Sequence, residues 1–282
     1  MKFYCLVYEV KDIRAELLEE SCKKRNLDFV LLKAKDFDYT QKINLDNNLL
    51  YMIDIDHRTR YLEKFLLRHK CVNFYLNDIY ELSKVYLDVV YEKYKLPIIK
   101  TIYDLTNNKI LLKKYVDYLD GFPLIIKVID NSRGIGVIKV DSFESLLSIV
   151  DYLLSQNLDK HYLIKKFIDY TQHARLIVLG NKVIDSIEYK KVTNDFRSNA
   201  GDALNVVAQK FSDVINNTAI KATQVRGVEF AGVDVLIDKA GGYYLAEVNS
   251  PCYFPRCQLT TGVDISGMMV DFLINKSKNN NI

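Results

Sequence analysis

Along the first third of the chain, short apolar runs alternate with longer stretches in which apolar and charged residues recur at helical spacing. FYCLVYEV (3–10) precedes a helical DIRAELLEESCKKR (12–25); DFVLLKA (28–34) and LLYMIDID (49–56) precede a helical RTRYLEKFLLRHK (58–70); CVNFYL (71–76) closes the series. Strand-like runs separated by helices predict βαβ units and a parallel sheet flanked by helices. A further helical stretch runs from Asn77 to about Lys95 and stops at Leu96-Pro97, because the residue before a proline is biased out of the α region.

Past that boundary the pattern changes. PLIIKVID (123–130) and GIGVIKVD (134–141) are β-rich runs separated by a glycine loop, and a helical SFESLLSIVDYLLSQ follows. HYLIKKFI (161–168), ARLIVLG (174–180) and KVIDSIEYKK (182–191) read as three successive strands of an antiparallel meander. A helix over 211–226 leads to two strands, GVDVLID (232–238) and YYLAEVN (243–249), joined at the hairpin-type dipeptide Gly241-Gly242. The polar tail KSKNNNI is expected to fray.

Composition narrows the classes. With 49% hydrophobic and 27% charged residues the chain has an ordinary globular mixture, and its net charge of +3 gives no global basic character that would point to nucleic acid or a membrane surface. No apolar run approaches the roughly 18 residues of a membrane span, so a soluble, cytoplasmic protein is expected. The five cysteines are odd in number and form no CxxC pair, which argues against a disulfide framework or a zinc site. His57, His69, His161 and His173 show no ligand spacing. None of the 11 glycines precedes Gly121, which places chemistry needing bare backbone after residue 120.

Three groups of residues carry candidate chemistry. In a strand, residues i and i+2 share a face, so Glu247 and Asn249 project together, and a hairpin can bring Asp234 beside them. An acid at a strand end facing water is the ordinary reading of any one of these. Together on apolar strands, two carboxylates and an amide oxygen suit Mg²⁺ held with nucleotide phosphates. The second group begins at Lys127, which shares a strand face with Ile125 opposite Leu124, Ile126 and Val128. It precedes Ser132, Gly134 and Gly136, whose loop can close N–H groups over phosphate oxygens; a snorkelling lysine and a plain turn are the alternative. Third are Arg197 in NDFRSN and Arg175 on an apolar strand, either of which is an ordinary arginine or a bidentate phosphate contact. There is no GxxxxGK[ST], GxGxxG, GxSxG or HExxH.

In order and spacing, KVIDNSRGIGVIKVD, VTNDFRSNAG, VEFAGVDVL, LAEVNSP and TTGVDISGMMVDF resemble the ATP-grasp superfamily, and within it the RimK-like carboxylate–amine ligases, over about residues 73–275. The resemblance implies an α/β ATP-grasp fold, with α+β character in its C-terminal part, after an N-terminal α/β domain. The expected division is a preceding domain at 1–83, a central subdomain with the glycine loop at 84–164, a C-terminal subdomain with the metal site at 165–276, and a frayed tail at 277–282. It also implies an ATP- and Mg²⁺-dependent enzyme, with Mn²⁺ as an alternative metal, that forms an amide through an acyl phosphate. Its partners are a carboxylate substrate and an amine or amino acid, with no nucleic acid or membrane and with a homo-oligomer as an option. An ATP-grasp kinase and a non-catalytic nucleotide-binding regulator are the competing readings.

Residue by residue, the resemblance makes Lys84 and Lys127 the nucleotide-binding lysines. It puts Ser132, Gly134 and Gly136 on the loop over the triphosphate and Lys165, Lys166, Phe167 and Ile168 on the adenine hinge. Arg197 becomes the phosphate-facing arginine, catalytic together with Lys127, and Asp234, Glu247 and Asn249 become the magnesium ligands. Three positions depart from the family pattern: Lys165-Lys166 stands where Gln-Glu is common, His173 where an acid precedes Arg175, and Tyr189 where an arginine is expected. His173 falls on the nucleotide side. Arg175, Tyr189 and Asn199, with Tyr253, Arg256 and Thr261 just after the metal strand, are the expected substrate-side residues.

Overall fold

The computed structural model describes residues 1–76, 84–128, 136–156, 160–191, 196 and 205–279, apart from the side chains of 84 and 85. Its strands form three sheets.

The first unit contains β1 (Lys2–Val7), α1 (Ile13–Lys23), β2 (Asp28–Lys33), β3 (Leu49–Met52) and α2 (His57–Leu66), with the strands all parallel in the order β2-β1-β3. Helix α1 starts where Asp12, in extended backbone, accepts hydrogen bonds from the N–H groups of Arg14 and Ala15. Both faces of the sheet are covered, as a βαβ arrangement demands. Phe3, Cys5 and Val7 pack with Ala15, Leu18 and Cys22 of α1, whereas Leu6, Leu50 and Met52 pack with Leu62 and Leu66 of α2. The expected strand at 71–76 is corrected to two isolated bridges, Val72 to Leu49 and Tyr75 to Val228. The chain turns between them because the Asn73 side chain accepts the Tyr75 N–H at 2.8 Å.

The second unit holds α3 (Lys84–Lys93), β4 (Thr101–Ile102), α4 (Lys109–Tyr118), β5 (Leu124–Val128), β6 (Val137–Val140), α5 (Phe143–Ser155) and β7 (Tyr162–Lys166). The sheet is antiparallel in the order β4-β7-β5-β6. Leu124, Ile126 and Ile164 point into a core with Leu112 of α4 and with Leu146 and Val150 of α5, while alternation leaves Lys127, Leu163 and Lys165 on the opposite face. Helix α4, capped by Asn108, lies in a stretch for which no helix is expected above, and it turns Leu112, Tyr115 and Val116 toward that core.

The third unit is β8 (Tyr170–Leu179), β9 (Lys182–Tyr189), β10 (Val206–Ala208), α6 (Asp213–Val225), β11 (Phe230–Asp238), β12 (Tyr243–Asn249), α7 (Pro255–Thr261) and α8 (Ile265–Asn279), with antiparallel strand order β10-β9-β8-β11-β12. The expected three-stranded meander is therefore corrected: β8 and β9 form a hairpin, but β7 belongs to the other sheet, opposite β5. Burying Tyr162 and Ile164 beside Ile126 selects that partner. One face of the five-stranded sheet packs on α6 and α3, and the other joins the first unit and α8 in a shared core running from Phe3 to Phe230 and Leu273. At the β11–β12 turn, Asp238 accepts the N–H groups of Ala240 and Gly242, and Gly241 adopts φ +83°. Among the described residues no helix is long and apolar enough to cross a membrane.

Candidate active site

The β11–β12 pairing places Asp234 opposite Glu247 and Gly232 opposite Asn249. A bulge just after Asp234 leaves Ala246 as the extra residue on β12, the kind of irregularity that re-aims side chains at functional sites. On its other side Asp234 faces Arg175 of β8. Asp234 is only 2% exposed, so its charge needs partners. Arg175 Nε lies 3.0 Å from Oδ1 and His173 Nε2 3.4 Å from it, and Asn249 Nδ2 donates to Oδ2 at 3.3 Å. Burial alone would lower the Arg175 pKa, but the Asp234 carboxylate outweighs it and holds the guanidinium above its ordinary value. The two are close but misaligned: Oδ1 accepts no hydrogen bond of good geometry, and Arg175 Nε and Nη1 donate none. Gly232 makes room for this arrangement, since a Cβ there would stand 2.5 Å from Arg175 Nη1.

This donor set fits magnesium. Among the described residues no group of three or more His, Cys, Asp or Glu side chains is gathered. The candidate is instead two carboxylates and the Asn249 amide, whose N–H faces Asp234 and whose oxygen remains to coordinate. Hard oxygen donors in such small number leave coordination positions for phosphate and water, as Mg²⁺ prefers.

Beside it lies a cleft between the two antiparallel sheets, lined by Leu87, Asp88 and Tyr91 of α3, by Lys127, Leu163 and Lys165, and by Leu245 to Val248 of β12. Lys127 and Glu247 thus share one cavity. Because Lys127 pairs with Leu163 and Ile125 with Lys165, the two lysines sit on one sheet face a pleat apart. Lys165 reaches Asp88 at 2.6 Å, a pair mostly shielded from water.

The rest of the expected hinge points elsewhere. Lys166 pairs at 2.6 Å with Asp120, which also holds Lys100, and the two ammonium groups pull the Asp120 pKa down to about 2. The Lys166 N–H goes to Lys100 O and that of Phe167 to Pro123 O, and Ile168 is buried with Ile99 and Tyr170.

On the substrate side, Tyr189 is buried with its ring 4.9 Å from that of His173, and Arg175 lies beneath Asp234, so neither sits at a rim. Tyr253 is 47% exposed, with the guanidinium groups of Arg14 and Arg256 each within 6 Å of its ring centre (5.8 and 5.9 Å). The Thr261 hydroxyl is engaged by Asp185 and Cys257 O, directed at β9. Gly136 adopts φ +75°, and its carbonyl accepts the Val128 N–H. Ser132, Gly134, Arg197, Asn199 and the Lys84 side chain lie outside the described residues. Asp88, Tyr91 and Arg14 carry no local sequence signal. The Asp88–Lys165 pair spans 77 positions, and only folding joins it.

Residues 88–273 match the profile of the RimK-like ATP-grasp domain, and the chain belongs to that family. The match starts just past Lys84. A probable alpha-L-glutamate ligase of Pectobacterium carotovorum is 34% identical over 158 residues, 54% of this chain and 50% of that one. The ribosomal protein bS6–L-glutamate ligase of Escherichia coli is 31% identical over 162 residues, 56% of this chain and 52% of that one. The chain thus spans about half the length of the curated relatives it matches. Among solved structures, the ATP-grasp ligase PsnB, complexed with a phosphomimetic variant of its minimal precursor, Mg and ADP, superposes with a TM-score of 0.74 over 98% of this chain and 99% of that one. At 14% identity that likeness concerns the fold alone.

Proposed function

We propose that the chain is an ATP- and Mg²⁺-dependent carboxylate–amine ligase that joins an amino acid to a peptide or protein carboxylate. The observation that carries this reading is the shared cavity in which Lys127 of one sheet faces Glu247 of the other, next to Asp234 and Asn249. In such a reaction the acceptor carboxylate oxygen attacks the γ-phosphorus of ATP and ADP departs. The amine nitrogen then attacks the acyl carbon, the bond to phosphate breaks, and the nitrogen loses a proton. Magnesium, when bound, offsets the negative charge gathered on the phosphates. Lys127 adds a positive charge in a partly desolvated place, where it counts for more than in water. Arg175 sets a positive charge 3.0 Å from the Asp234 carboxyl, behind the site. Mn²⁺ suits the same oxygens, and all five cysteines are free, which supports work in the reducing cytoplasm.

The relatives' names make glutamate the first amine to test. The purified chain is incubated with ATP, Mg²⁺, a panel of amino acids and candidate acceptor peptides, with ADP release and product masses followed. Amine-dependent ADP release and a hydroxamate formed on adding hydroxylamine are expected. Phosphate transfer to a hydroxyl without need of an amine would identify a kinase, and nucleotide binding without turnover a regulator.

A further inference from the structure

Arg226 approaches the metal strand on the sheet face that also carries α3, beside Tyr91 of the cavity wall. At the C-terminal end of α6, its guanidinium spans the end of β12: Nη1 donates to Val248 O at 3.0 Å and Nη2 to Ser250 O at 3.3 Å. These carbonyls flank Asn249. Strand β12 is a sheet edge, and its pairing with β11 ends at Asn249, so the sheet supplies no partner for the outward carbonyls there. The guanidinium fork supplies two donors in one plane, which a lysine ammonium cannot place in the same way. On the other side, the Asn249 amide is tethered to Asp234. Arg226 also lies close to Arg60 of α2, in a partly buried setting where like charges disfavour one another. A neutral side chain would avoid that cost but would not give the two-pronged clamp.

We propose that Arg226 is a positioning residue for the metal-binding end of β12. By holding the carbonyls on both sides of Asn249 it sets where Asn249 and, one pleat back, Glu247 present their oxygens. The inference rests on reading Asp234, Glu247 and Asn249 as magnesium ligands, and it needs no assumption about the acceptor.

The test is calorimetric titration of the full chain with ADP, in Mg²⁺ and in EDTA, for the wild type, Arg226→Lys and Arg226→Met, with thermal unfolding of each. Wild type is expected to bind ADP more tightly in Mg²⁺. In both variants that enhancement should fall by roughly tenfold or more, the usual effect of losing a residue that orients metal ligands. Affinity in EDTA should hold, and Arg226→Lys should melt within about 4 °C of wild type. Undiminished enhancement in Arg226→Lys overturns the proposal and leaves the arginine a structural brace. If Arg226→Met does not fold, Arg226→Lys alone decides. A wild type without Mg²⁺ enhancement defeats the metal reading itself, and the role of Arg226 with it.

Discussion

At Asp234 a nearly inaccessible carboxyl lies 3.0 Å from a guanidinium that does not hydrogen-bond it well, which leaves Oδ1 without a hydrogen bond. Glu247, opposite it on the edge strand, lines the cavity itself. Glu247→Gln keeps size and shape but removes the charge a divalent cation needs. It should abolish ATP turnover while the melting temperature stays within a few degrees of wild type, as measured by ADP release and thermal unfolding. Retained turnover with unaltered magnesium dependence would remove Glu247 from the metal site. That Glu247 and Asn249 share a face is legible in the sequence from strand alternation, but Asp234 comes opposite Glu247 only through the bulge at Ala246, since the turn register alone would set it opposite Ala246. That Arg175 lies beneath them is not legible, because an arginine on an apolar strand reads alike as a rim residue or a buried one until Gly232 is seen to make room for it.

Among the elements, β5 separates structure from chemistry by its two faces. Ile126 is fully buried in the core beneath α4 and α5, and Lys127 lines the cavity. Lys127→Ala should weaken nucleotide binding roughly ten- to more than a hundredfold, as the loss of a charged contact worth about 1.5 to 3 kcal/mol implies, at little cost in stability. Ile126→Ala should do the reverse, lowering stability by about 2 to 5 kcal/mol and sparing affinity in the protein that remains folded. Calorimetry and denaturant unfolding on the pair check this, and a nucleotide affinity indifferent to Lys127→Ala would contradict the assignment. The alternation of β5 is plain in PLIIKVID. The partner of β7 is not, because HYLIKKFI has the same apolar alternation as the strands after it, and only the core under α4 and α5 decides which sheet it enters. Helix α7, of seven residues, is too short to show a stripe, whereas α4 does carry one, Leu112, Tyr115 and Val116 with Leu119 at its end, and it joins the same core.

Over the whole molecule, the first and third units are joined through one core. Phe230, fully buried, packs with Tyr51 and Phe74 from the first unit and its following segment and with Phe254 from beyond the metal strand. Phe230→Ala should therefore lower stability by about 3 to 5 kcal/mol and leave a single cooperative transition, because neither unit keeps a complete core alone. Two resolved transitions in a calorimetric scan would show that the units fold independently.

The four-stranded sheet of the second unit, with α4 and α5, has a core of its own. That core closes on itself between Leu105 and Ile164, whereas helix α3 of the same unit packs Leu87 and Tyr91 against the five-stranded sheet, so the bond between Lys165 and Asp88 ties the four-stranded sheet to a helix seated on the other one. The cleft between the sheets is lined by apolar Leu87, Leu163 and Leu245 as well as by this pair, so the join is only in part electrostatic. Because that pair is mostly shielded from water, added salt should weaken it less than it weakens the exposed bridge between Lys100 and Asp120.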